Sequence, residues 1–299
     1  MAEIDLSPAL AADRRELNGR SGRLTYYVAG SGAPVLLLHS INAAASAYEV
    51  KPAFEHIVRT RRAYAPDLPG YGFSDRSPRR YDVALFCDAV RDLLDAIAAE
   101  RGATPVDVLA LSLASEFAAR VAVEQPQRFR TLTLVTPTGF NRGADKMRGA
   151  PGSNREVPGV YATATFPLWR SALFNGLVSR ASIRYFLKRT FGADSVDEGL
   201  VVYAWRTTHQ PGAANAPFAF LSGRLFSADI RNVYERLTVP VWLAHGTRGD
   251  FRDFSESQWT RARANWQVQA FESGAIVYFQ QPAEFFGRWG EFLARAGTR

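Results

Sequence analysis

Cysteine occurs once in the 299 residues, at Cys87, so neither an intrachain disulfide nor a cysteine-based metal site can be built. Lysine is nearly as scarce, at Lys51, Lys146 and Lys188, which leaves arginine to carry almost all of the formal net charge of +7. The arginines are dispersed without a basic block. That pattern argues against a nucleic-acid partner and leaves acidic or carboxylated small molecules open as ligands. No apolar run approaches the roughly 18 residues a membrane span needs, and the opening MAEIDLSPALAADRRELNG has no apolar leader stretch. A soluble, cytoplasmic protein with no membrane contact is therefore expected. No cluster of metal-ligating residues stands out. The oligomeric state is not legible. Histidine occurs only at His39, His56, His209 and His245, so every imidazole base the chain can offer is known in advance.

What the chain does have is apolar residues, 47% of the total, enough to fill one large α/β core. The stretch that organises it is Val106 to Ala118, VDVLALSLASEFA. A run of strand formers stops at Ser112 and a helical pattern, Leu113 to Val123, begins at once. A serine on such a turn has its hydroxyl pushed clear of the backbone, and the small neighbours Ala110 and Ala114 let the turn close. The following helix aims its N-terminal N–H groups and positive dipole end at whatever the serine attacks, which makes the Leu113 N–H one half of a candidate oxyanion hole.

Taken in order, a polar leader of about a dozen residues precedes two short strands, Arg14–Leu17 and Arg23–Ala29, joined by the Asn18–Gly22 turn. Pro34 to Leu38, PVLLL, reads as a strand buried on both faces. The loop it enters, His39-Ser40-Ile41-Asn42, offers the Ile41 N–H as the second oxyanion donor. Ala45–Val58 and Val83–Ala99 are helical in pattern, with Cys87 as ordinary packing in the second. Arg62–Pro66, Thr131–Val135, Val239–Ala244 and Gln267–Phe271 read as further strands, and Pro282–Ala296 as an amphipathic closing helix. The alternation predicts a mostly parallel sheet flanked by helices.

Between residues 140 and 237 the alternation breaks down into helical patches rich in large apolar side chains. An insertion of that size at the C-terminal edge of a parallel sheet lies over the crevice where ligands bind. The expected organisation is thus a core of residues 1–139 and 238–299 with a helical cap of residues 140–237. Trp169, Phe174, Tyr203, Trp205 and Phe218 are the candidates for an apolar, substrate-binding lining.

PVLLLHS, DLPGYGFSD, ALSLA and VPVWLAHGTRGD, in that order around a cap-sized insertion, resemble the α/β-hydrolase fold superfamily in its capped branch. The resemblance covers about Arg23 to Ala296. It implies Ser112 as nucleophile, Asp250 as the acid that orients a base, Leu113 and Ile41 as the oxyanion hole, and no cofactor or metal. Asp253 is a second choice for the acid. The base belongs in a GHxPxxExP-like segment, and here that segment reads GAIVYFQQP, which puts Ala275 where the histidine is expected.

Three departures in one motif point to a lineage that lost or replaced its base. Of the four histidines, His39, His56 and His245 read as structural. His209, in the cap, is the substitute base to test. Asp250, with no histidine to orient, needs another partner, and Arg248 is the nearest in sequence. Two functions compete: hydrolysis of a small apolar ester, lactone or acyl compound with a non-standard triad, or a non-hydrolytic isomerase, cyclase, lyase or ligand-binding role. A scaffold protein without chemistry is the third reading.

Overall fold

The computed structural model describes residues 5–296, and the sheet is where the sequence patterns converge. Eight strands, β1 (Asp13–Gly19), β2 (Gly22–Ala29), β3 (Pro34–Leu38), β4 (Arg62–Asp67), β5 (Val106–Leu111), β6 (Phe129–Val135), β7 (Val241–Gly246) and β8 (Trp266–Phe271), form one sheet in the order β1-β2-β4-β3-β5-β6-β7-β8. β1 and β2 pair antiparallel, as do β2 and β4. Every pair from β4 to β8 is parallel. Central β3 and β5 are buried at every residue, which is why their sequences are unbroken apolar runs apart from Asp107. Asp107 is tolerated because Arg61, Arg130 and Thr131 all bond its carboxylate.

Helices cover both faces. The two that matter first are α1 (Lys51–Ile57) and α2 (Val83–Arg101), the latter N-capped by Asp82, whose side chain accepts from the Leu85 N–H at 3.0 Å. The 45–58 segment is not one helix as its pattern suggests. A 3₁₀ turn over Ala47–Val50 gives way to α1, with Pro52 near the start, where its missing N–H costs nothing. α3 (Ala114–Glu124) leaves the end of β5.

The insertion between β6 and β7 carries α4 (Val160–Ala164), α5 (Arg170–Leu177), α6 (Arg180–Phe191), α7 (Glu198–Thr208), α8 (Asn215–Leu221) and α9 (Ile230–Glu235). After β8 come a short α10 (Val277–Gln280) and the long α11 (Pro282–Ala296). α11 buries Phe285, Trp289, Phe292 and Leu293, residues three and four apart, against Trp242 and Phe271 of the sheet. Full burial of each such side chain stabilises by about 1.5–3 kcal/mol. Trp289 also donates to Thr133 Oγ1 at 2.9 Å, so its indole N–H is not lost to the core.

One expectation needs adjusting. The leader is only partly polar, because Leu6, Ala9 and Leu10 are buried and the Ala9 N–H donates to the Tyr27 hydroxyl at 3.0 Å. Within residues 140–237 the buried side chains divide between clusters. Phe140, Ala216, Ala219, Leu225, Ile230, Val233 and Tyr234 belong to the main core cluster, while only a smaller cluster around Phe174, Ile183, Val201 and Phe218 is its own.

Candidate functional site

Ser112 sits at φ 54°, one of two non-glycine residues with positive φ among those described. Holding an L-residue there costs of order 1–3 kcal/mol, and such strain persists only where the surroundings fix it. They do: the Ser112 N–H donates to Val135 O at 2.8 Å, the Ser115 N–H to Ser112 O at 3.1 Å, and Ala110 and Ala114 are fully buried on either side. The Ser112 hydroxyl faces a cavity and bonds to no other described residue. The second positive-φ residue is Thr136, at 47°, directly after β6 and lining the same cavity.

Opposite the serine lies the loop after β3. Burial pushes the His39 imidazole down to about 4, so it is neutral at physiological pH. Its Nε2 accepts the Leu68 N–H at 2.9 Å, which puts the ring proton on Nδ1, where it donates to Ser40 O at 2.6 Å. Both ring nitrogens are therefore engaged in holding the loop, as expected of a structural histidine. Glu49, buried in the 3₁₀ turn, grips the loop from behind. Its Oε2 accepts the Ser40 N–H at 2.9 Å and its Oε1 the Asn42 side-chain amide at 2.8 Å. Between those two anchored residues stands Ile41. Its N–H, like that of Leu113, has no acceptor among the described residues, and both residues line the cavity beside Ser112.

The cavity holds about 350 Å³. The core supplies Ser40 to Ala44, Glu49, Leu111 to Leu113, Thr136, Thr138, Asp250, Phe251, Ala275 and Ile276. The insertion supplies Leu177, Ile183, Phe186, Leu187, Thr190, Leu200, Ala204, Phe220, Leu221 and Phe226. None of Trp169, Phe174, Tyr203, Trp205 and Phe218 is among them. Phe174 and Phe218 pack on each other at 5.8 Å inside the insertion's own cluster. Tyr203 is buried and stacks on Tyr48, Trp205 packs on His209, and Trp169 packs on Phe166 at the surface. Helical periodicity marks which face of an insertion helix is apolar, yet a packed face and a cavity wall read alike. The residues that do line the cavity are mostly aliphatic, and no sequence signal separated them from core.

His209 is likewise not brought to Ser112. It ends α7, its Nδ1 donates to Trp205 O at 2.7 Å, and it does not line the cavity. His245 stacks on Phe254 at 4.1 Å with Nδ1 on Gly246 O, and His56 stacks on Phe286 at 4.1 Å. Burial lowers both of these. No histidine lines the cavity.

Asp250 does line it, after β7, but its carboxylate is taken by Arg189 of α6, not by Arg248. Arg248 donates instead to Glu272 O at 2.8 Å. The pairing with Arg189 follows from backbone: the Asp250 N–H donates to Arg189 O at 3.0 Å, which lays the end of α6 against this loop. Asp253 points away, accepting from the Arg142 and Ser255 N–H groups. Ala275 is equally engaged. Its N–H donates to Thr190 O at 2.8 Å, and its carbonyl accepts from Thr136 Oγ1 at 2.6 Å.

Comparison with known proteins places these features in a family context. A family model described as the alpha/beta hydrolase family matches residues 35–288. A 2-hydroxymuconate semialdehyde hydrolase of Pseudomonas putida is 29% identical over 128 residues, 42% of this chain and 44% of that protein. An uncharacterised protein of Mycobacterium bovis is 29% identical over 151 residues, 50% of this chain and 39% of its own length. The matched stretches thus span less than half the length of these curated relatives. Among solved structures, a serine hydrolase involved in carbazole degradation superposes with a TM-score of 0.72 at 15% identity, covering 95% of this chain and 99% of the other. A meta-cleavage product hydrolase from Pseudomonas fluorescens IP01 gives 0.71 at 17%, covering 94% and 98%. At those identities the likeness is one of fold.

Proposed function

Because the chain belongs to the alpha/beta hydrolase family, we propose that it acts on a small, mainly apolar ester, lactone or acyl compound held between Ser112 and an insertion that serves as a cap. The observation that carries this reading is the strained Ser112, its hydroxyl unbonded, beside the two acceptor-free amides of Ile41 and Leu113 in one largely apolar cavity. In this reading a substrate carbonyl carbon meets Ser112 Oγ and the carbonyl oxygen is received by the two amides. A single donor of that kind is typically worth about 10²–10³ in rate.

What distinguishes this site is the base. With Ala275 at the family's histidine position, the serine proton passes to water or to a group on the substrate. Loss of general-base assistance removes about 10²–10⁴ of rate. Turnover is therefore slow or confined to reactive acyl groups. The substrate named for the Pseudomonas relatives, a muconate semialdehyde, is not carried over, since it is a carboxylate and no cation among the described residues lines this cavity.

A second reading, a non-hydrolytic relative that binds or rearranges a carbonyl compound, is favoured by the engagement of Asp250 with Arg189. One experiment separates them. The wild type and Ser112→Ala are compared on p-nitrophenyl butyrate, with a fluorophosphonate probe located by mass spectrometry. Slow turnover lost in Ser112→Ala, with the probe on Ser112, supports the hydrolase. Turnover indifferent to Ser112→Ala, with no label, leaves the non-hydrolytic reading.

A further inference from the structure

The protein carries a formal charge of +7, yet its cavity has no share of it. Among the described residues, arginine, lysine and histidine are all missing from the lining, whereas two carboxylates, Glu49 and Asp250, are present. The two are not equivalent. Asp250 sits at the mouth, well exposed, and is neutralised by Arg189. Glu49 is 4% exposed and makes no ion pair among the described residues.

Around Glu49 are only neutral donors. The Ser40 N–H and the Asn42 amide each satisfy one carboxyl oxygen, leaving each oxygen with further acceptor capacity. The Ser40 hydroxyl also bonds the carboxyl, while Tyr278 is directed to the Glu49 backbone carbonyl at 2.9 Å and Tyr71 to Asn42 O at 2.8 Å. A buried carboxylate is normally paired with a cation, because desolvation of the lone charge is costly. Here the protein supplies none, in a chain with 36 lysines and arginines to draw on. Burial accordingly pushes the Glu49 carboxyl up from its ordinary range, and an amine that enters can take the proton and supply the cation the protein does not.

We propose that the cavity selects a small apolar molecule whose polar head is an amine, seated as its ammonium form on Glu49, and that it rejects carboxylates. This rests on the reading above that the cavity takes a small apolar compound, and it adds the sign of the head group. The apolar body lies against the aliphatic side chains of the insertion, among them Leu177, Ile183 and Leu187, while the ammonium pairs with Glu49 beside the Ile41 loop. A carboxylate in the same place meets Glu49, which no cation among the described residues offsets, and like-charge juxtaposition in a desolvated site costs several factors of ten in affinity.

The test uses three probes of one shape and different charge, benzylamine, benzyl alcohol and benzoate, titrated calorimetrically against the full chain and against Glu49→Gln. The expected wild-type order is benzylamine, then benzyl alcohol, then benzoate, with at least about a tenfold difference from first to last. In Glu49→Gln the three draw together to within about threefold. The control is built into the protein: nonspecific attraction to its net positive charge favours benzoate, so an amine preference runs against the bulk field. Benzoate binding as tightly as benzylamine overturns the proposal, as does an amine preference that survives in Glu49→Gln. If that variant does not fold, the wild-type order decides alone. Binding of benzyl alcohol with no amine preference overturns the proposal while sparing the pocket reading. Failure of all three probes to bind overturns both.

Discussion

Around Ser112 the backbone is held open, whereas around Asp250 and Ala275 it is closed. On the first side, the amides of Ile41 and Leu113 and the serine hydroxyl have no partner among the described residues, and the surroundings hold a strained φ of 54° to keep them so. On the second, each comparable group is engaged with the insertion or its own core. Asp250 is tied to Arg189 by side chain and backbone, Ala275 N–H to Thr190, and the Gly274 N–H to Gln280 Oε1 at 2.6 Å. The two sides face one cavity. The difference is between a region poised to meet a ligand and one that fastens the insertion to the sheet.

The contrast is sharpened most by rebuilding the second side. Ala275→His alone places an imidazole near an acid that is already occupied, so esterase activity on p-nitrophenyl butyrate should rise little. Ala275→His with Arg189→Ala frees Asp250 to orient that imidazole, and a gain of about a hundredfold or more over the single variant is expected. Steady-state kinetics on both, with folding checked by circular dichroism, decides. Equal activities would show that Arg189 is not what withholds the acid.

A smaller effect is expected where the fastening is closest. A Cβ at position 274 would stand 2.4 Å from the Cα, carbonyl carbon and oxygen of Phe191. Gly274→Ala must push the end of α6 away, and the expected loss is about 1–3 kcal/mol of stability, as for overpacking elsewhere. Denaturant unfolding measures it, and protease cuts between 180 and 192 should appear early. A variant as stable as the wild type would mean that the contact is slack.

The smallest effect belongs to the ion pair itself. Arg189 and Asp250 are 49% and 41% exposed, and water and salt screen exposed pairs of this kind so that they contribute little. Arg189→Ala alone should leave the denaturation midpoint almost unmoved in the same unfolding assay. A larger loss would make the pair a main fastening, with the backbone bonds secondary.

The region around Ser112 was legible in the sequence and the other was not, for a physical reason. Val106 to Leu111 and Pro34 to Leu38 are continuous apolar runs because both faces of those strands are buried, and Ser112 interrupts one at the point where a helix begins. Such signals are local. Asp250 and Ala275 are also local readings, and both do line the cavity. Their partners are not local. Arg189 lies 61 residues from Asp250, and nothing in its helical surroundings marks it as the acid's partner over Arg248. Glu49 is not legible as a site residue, because an acidic residue in a helical stretch ordinarily reads as solvated and only the fold turns it inward. The same limit explains Trp169, Phe174, Tyr203, Trp205 and Phe218: aromatic side chains reported where an apolar face lay, without saying what it faced.

The way the insertion's final third joins the main core bears on how the chain assembles. β6 and β7 are neighbours in the sheet, yet the chain between Val135 and Val241 must be looped out before they pair. Closing a loop of that length costs only slowly growing entropy, but such distant pairing is slow to form. Ile230, Val233 and Tyr234 pack with Phe140 in the main core, so the chain returns to the sheet through its own core contacts. A shortened chain made by joining residue 140 directly to 238 would therefore lack part of its own folding nucleus. Grafting a foreign insertion onto this sheet calls for keeping the stretch from Leu225 to Tyr234, because Ala216 and Phe218 still divide between the main core and the insertion's own cluster.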